Sequence, residues 1–138
     1  MKKLSVLLMV LALVGCSSNT APVSKTGTGE VETDSDKTTV TVTLEGDKLT
    51  AVSIDQANKG SDSKKELKEA YNMKQASSIG KEWFEQAEFL ENYMVENNTT
   101  EIEMNENGKA VSEDVLSGCT IGIKDIVEAA NQAVKAAK

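Results

Sequence analysis

Asp114, Ser117, Gly118 and Thr120 have the residue types and spacing to hold an anion. They lie in the run Asp114-Val115-Leu116-Ser117-Gly118-Cys119-Thr120, just ahead of a segment with helical periodicity. A phosphate esterified to Thr120 would sit near backbone N–H groups at a helix N-terminus. The partial positive charge there, about half an elementary charge, favours such an anion even without arginine. Gly118 would let the backbone approach a ligand closely, and Gly122 would relax the turn into the helix. The plainer reading is that Ser117 and Thr120 simply cap the helix, and spacing alone favours it.

Composition removes most other chemistry. The chain has no histidine, and every basic residue is lysine. Histidine-based metal sites, Ser/His/Asp or Cys/His nucleophile activation and arginine clamps on phosphate are therefore excluded. The acidic pairs Glu101/Glu103 and Glu113/Asp114 read as solvated charge, since nothing around them resembles a calcium loop. Trp83, Phe84 and Tyr93 invite a role in stacking, but aromatics at helical spacing are more often core.

A second residue with chemistry lies near the start. Met1-Lys2-Lys3 and the apolar run Leu4 to Val14 lead to Gly15-Cys16, an export signal of charged, apolar and small-residue parts. Leu13-Val14-Gly15-Cys16 resembles the bacterial lipobox, which implies that Cys16 is diacylated and becomes the new N-terminus. Residues 1–15 are then a signal peptide, and two acyl chains suffice for stable attachment to a lipid bilayer. The expected location is the extracytoplasmic face of the cell membrane. Loss of Lys2 and Lys3 with the leader takes fifteen lysines to thirteen, against twenty-two acidic residues, a net charge of minus nine. Nucleic acid is not an expected partner. With Cys16 lipidated, Cys119 has no intrachain disulfide partner.

The elements that must position the Thr120 segment can be read coarsely. Ser17 to Val31 is rich in Ser, Thr and Gly without apolar periodicity, so residues 16–36 read as a flexible tether and folding should begin near Lys37. Residues 37–138 are enough for one small domain. Thr39 to Leu44 and Thr50 to Ile54 alternate polar and apolar around Glu45-Gly46-Asp47-Lys48, which predicts a β-hairpin. A short helical segment is expected around Lys64 to Tyr71. Ser77-Ser78 offers a cap for an amphipathic helix carrying Trp83, Phe84, Ala87, Leu90 and Met94, ending near Asn97-Asn98. Ile102 and Met104 suggest a further strand, and Asn107-Gly108 a turn. Ile123, Ile126, Val127, Ala130, Val134 and Ala137 mark a C-terminal helix. The expected fold is α+β, a small antiparallel sheet packed against a central amphipathic helix and a C-terminal helix.

Asp114, Ser117, Gly118 and Thr120 also resemble the flavinylation motif of FMN-binding domains, an Asp, two variable residues, then Ser-Gly-Ala-Thr ahead of the last helix. Gly27-Thr28-Gly29, Ile79-Gly80-Lys81-Glu82-Trp83 and the closing helix are similar to small FMN-binding lipoproteins of Gram-positive bacteria. Cys119 stands where alanine is usual, and Gly122 and Ile123 where many members have hydroxyl residues. The resemblance implies FMN joined by a phosphoester to Thr120, attached by a magnesium-dependent flavin transferase with FAD as donor. It further implies a redox carrier more than an enzyme with its own substrate, taking electrons from a membrane redox donor to an external acceptor. The alternatives are a flavin-free lipoprotein of the same fold that binds a partner or ligand, or a precursor whose leader is a peptide pheromone.

Overall fold

The computed structural model describes residues 22–138, and the expected leader and Cys16 lie outside the described residues. Three strands, β1 (Ser24–Glu32), β2 (Asp36–Glu45) and β3 (Lys48–Asn58), form an antiparallel sheet in chain order. Along β2 the alternation read from sequence is realised: Thr38, Val40, Val42 and Leu44 are buried, while Thr39, Thr41 and Thr43 face outward and are only half-buried. Val40 pairs with Ile54 and Val42 with Val52 in β3. The hairpin closes at Gly46, whose φ of 63° suits the first central position of a two-residue turn. A bulge between Thr43 and Leu44 then brings Leu44 opposite Leu49, so both enter the core.

The strand completing the sheet differs from the expected one. It is β1, within the stretch read as tether, so the fold begins at Ser24 and not near Lys37. Gly27 and Gly29 of β1 pair with Val42 and Val40. A Cβ on Gly27 would lie 2.1 Å from the Ala133 carbonyl oxygen, and one on Gly29 would lie 1.9 Å from that of Ala129. The glycines thus allow the C-terminal helix to lie directly on the strand. The Ile102 segment forms no strand. Its only ladder contact is a single bridge between Met104 and Ala110. Asn105 closes the chain on itself there, its side-chain oxygen accepting from the N–H of Asn107 and Lys109.

Four helices follow β3: α1 (Lys64–Leu67), continued by a 3₁₀ turn over Lys68–Tyr71, then α2 (Trp83–Glu96), α3 (Glu113–Leu116) and α4 (Lys124–Ala137). In α2 the residues Trp83, Ala87, Leu90 and Met94 are buried at helical spacing. Its cap is Glu82 and not Ser77 or Ser78, with Glu85 reaching back to accept from the Glu82 N–H at 2.8 Å. Helix α4 buries Ile126, Val127, Ala129, Ala130, Ala133 and Ala137, and its alanines lie against the glycines of β1. Glu91 of α2 accepts from the backbone N–H of Ile54, and it also pairs with Lys65, which covers the free edge of β3. The fold is α+β, with a central and a C-terminal helix against one antiparallel sheet. No helix among the described residues is long and apolar enough to cross a membrane.

Candidate functional site

Thr120 is held from α2. Gln86 falls on the buried face of that helix, between Trp83 and Leu90, and its side chain is fully buried. Its Oε1 accepts from both the backbone N–H of Thr120, at 2.9 Å, and the Thr120 hydroxyl, at 3.3 Å. Its Nε2 donates to Ser77 Oγ at 3.3 Å and to the Lys81 carbonyl at 3.1 Å. Every polar atom of the amide is therefore used, as a buried polar group requires. With its proton directed at Gln86, the hydroxyl oxygen keeps its lone pairs for another partner.

Thr120 is half-buried and opens onto a cavity of about 620 Å³, within the size range of small-molecule sites. One cluster in the lining carries Gly108, Lys109, Thr120, Gly122, Lys124 and Asp125. These parts are tied together by the Ile123 N–H donating to the Gly108 carbonyl at 2.8 Å. Gly108 has a φ of 73°, and a Cβ on it would lie 2.9 Å from the Cβ of Lys124, so the turn and the start of α4 touch. The first backbone bond within α4 runs from Val127 to Ile123, which leaves the first-turn N–H groups with no intrahelical partner.

A second cluster in the lining, Gln56, Lys64, Tyr71 and Trp83, is joined by the contacts of Lys64, and Met73 and Ser77 line the cavity as well. Lys64 is buried, bonds Gln56 Oε1, and places its Nζ 5.2 Å from the centroid of Tyr71 and 5.8 Å from that of Trp83. Glu82 fixes the loop beside it, its carboxylate accepting from the N–H groups of Met73 and Lys74. Three lysines thus face the cavity with two carboxylates, Asp36 and Asp125, in a chain of net charge −7. The local balance is positive where the protein as a whole is negative. Such a lining can take an anionic group at the first cluster and a flat aromatic group at the second.

The four residues singled out from the sequence separate here. Thr120 lines the cavity, whereas Asp114, Ser117 and Gly118 do not. Asp114 is exposed within α3, and the Ser117 hydroxyl turns back to donate to the Asp114 carbonyl at 2.9 Å. Neither Ser117 nor Thr120 caps α4, whose N-cap is Ile123. The reason for Gly118 also changes. A Cβ there would lie 2.2 Å from Cδ2 of Phe89, so its missing side chain makes room for that ring and not for a ligand. Gly122 has open space where a Cβ would go and forms part of the wall.

Cys119 is fully buried, and burial pushes its thiol up from 9.0 to about 11, with a hydrogen bond from the Ile121 backbone opposing the shift. It is an inert core residue, not a nucleophile. Trp83 is buried in the core, as expected, and it also lines the cavity, which the sequence did not indicate. Sequence reading passed over Gln86 and Lys64. The one signal for Gln86 was a polar side chain at the apolar spacing of α2. Lys64 had none, being one lysine among many.

No protein-family model matches the chain, and no curated protein matches it. It is similar to a protein from Clostridium thermocellum whose solution NMR structure is known, with 28% sequence identity and a TM-score of 0.54. The likeness covers 81% of this chain and 89% of that one, so the two share a fold over most of their lengths.

Proposed function

We propose that this chain is a lipid-anchored extracytoplasmic lipoprotein that carries one FMN, esterified through its phosphate to Thr120, and acts as an electron carrier. The observation that carries the reading is the Thr120 hydroxyl in the lining of a cavity that also carries Lys64, Lys109, Lys124, Tyr71 and Trp83. The lining suits the group: cations for a phosphate, free N–H groups at the start of α4, and an apolar aromatic face for a ring. FMN, when bound, supplies the exchange of electrons, and the protein supplies position and environment.

The residues divide that work. Gln86 fixes the Thr120 oxygen in the cavity lining and holds its proton. Attachment from FAD forms the bond between Thr120 Oγ and phosphorus and breaks the pyrophosphate bond, with AMP as the leaving group taking up the proton. A flavin transferase performs this step outside the cytoplasm. Lys109 and Lys124 balance the charge of the resulting diester. Cys16 keeps the domain at the bilayer, within reach of a membrane redox donor.

The reading is tested by producing the exported chain beside a flavin transferase shown to modify a control domain. The purified domain is expected to be yellow and to remain fluorescent through denaturing electrophoresis, and Thr120→Ala to abolish both. A colourless wild-type domain would overturn the proposal in favour of a flavin-free binding lipoprotein on the same scaffold.

A further inference from the structure

The aromatic part of the cavity lining contains a feature that phosphate binding does not use. Lys64 is buried, yet among the described residues it makes no ion pair. Its ammonium has one neutral acceptor, Gln56 Oε1, and the faces of two aromatic rings. Asp36 lines the same cavity but does not pair with this ammonium, so an anion brought beside it is favoured. Residues 1–21 contain no acidic residue that could supply one. Gln56 in turn is fixed by donating from Nε2 to Thr38 Oγ1 at 2.8 Å, so the ammonium is held and not free to swing to solvent.

The two clusters divide the charge. Lys124 packs on the Gly108 turn that Lys109 follows, and Lys64 lies over the rings of Tyr71 and Trp83. A flavin fixed by its phosphate at Thr120 would share one cavity with Lys64, Tyr71 and Trp83. We infer that Lys64 sets the redox potential of that flavin, favouring the reduced ring, which is anionic, over the oxidised ring, which is neutral. The inference rests on the Thr120 reading. Reduction places two electrons and one proton on the ring and leaves one negative charge at its pyrimidine end. A quinol donor supplies both electrons, becomes the quinone, and releases its second proton to solvent, so the step balances. The ammonium of Lys64 attracts the product and not the reactant, which raises the potential.

The test is a spectroelectrochemical titration of the flavin-labelled chain, reading the midpoint potential of wild type, Lys64→Met, Lys64→Gln and Lys64→Arg, with Lys109→Met as the control in the other cluster. Loss of the charge is expected to reduce the preference for reduced flavin about tenfold, which for a two-electron couple is about 30 mV downward. Lys64→Arg is expected to stay near wild type, and Lys109→Met to move the potential less than Lys64→Met does. Lys64→Gln serves if the methionine variant does not fold. A labelled chain whose potential ignores the charge at position 64 overturns this inference alone. A wild-type chain that takes up no flavin, covalent or free, overturns it together with the Thr120 reading.

Discussion

Gln86→Leu removes the group that ties α2 to Thr120 while keeping a side chain of similar length. The amide makes four hydrogen bonds, two received from Thr120 and two given to Ser77 and Lys81. Their loss is unequal. Ser77 Oγ still accepts from the N–H groups of Ile79 and Lys81, and the half-buried Thr120 hydroxyl can turn to water. The Thr120 backbone N–H has no such recourse, and stranding a buried donor costs about 1–3 kcal/mol. With the Lys81 carbonyl also losing its donor, a net loss of about 3 kcal/mol is expected, offset in part by the apolar leucine. For a domain of this size that lowers the melting temperature by on the order of 10 °C. The assay pairs a thermal melt with the initial rate of flavin labelling, measured well below the melting transition. Labelling is expected to fall even where the variant is fully folded, because the hydroxyl has lost the acceptor that orients it. A variant that melts with wild type and is labelled at the wild-type rate would refute the role given to Gln86.

Two other substitutions separate packing from chemistry. Gly29→Ala sets a methyl 1.9 Å from the Ala129 carbonyl oxygen, where ordinary contact begins at 3.4 Å, so α4 must retreat by about 1.5 Å. A loss of about 3 kcal/mol is expected, against under about 0.5 kcal/mol for Gly122→Ala, which meets nothing; equal melting temperatures for the two would contradict the close approach of β1 and α4. The Cys119 thiol, raised in the fold to about 11 from 9.0, favours the folded state fully below pH 9 and loses that contribution as pH rises through about 11. Cys119→Ala should therefore keep the fold and any flavin, and lose less stability than wild type between pH 9 and 11 in denaturant titrations; thiol reagents should reach Cys119 only on unfolding.

Much of the architecture was legible because it rests on period. The β2–β3 hairpin follows from alternation around Gly46, and α2 and α4 from apolar residues at three- and four-residue steps. Strand β1 was illegible for a physical reason. Its inward positions are Gly27 and Gly29, chosen for the absence of a side chain, so no apolar alternation marks it and its composition is that of a tether. The Ile102 segment misled in the opposite way, since Ile102 is buried and alternates with glutamates, yet Asn105 turns the chain before a ladder can form. In the site, Thr120 was found from its motif, but its neighbours in sequence turned out to serve the local turn and the packing of Phe89. Gln86 and Lys64 come from elements thirty or more residues away, and only folding brings Gln86 to Thr120 and Lys64 to the cavity.

The central claim is the bond at Thr120, and the most direct measurement of it is the mass of the protein taken from its native host. Digestion at lysine releases the segment Ala110–Lys124, which contains Thr120. The account predicts this peptide heavier by one FMN less water, with fragmentation placing the addition on Thr120 and not on Ser112 or Ser117. The same peptide at its unmodified mass, from cells in which a flavin transferase is active on other proteins, would contradict it.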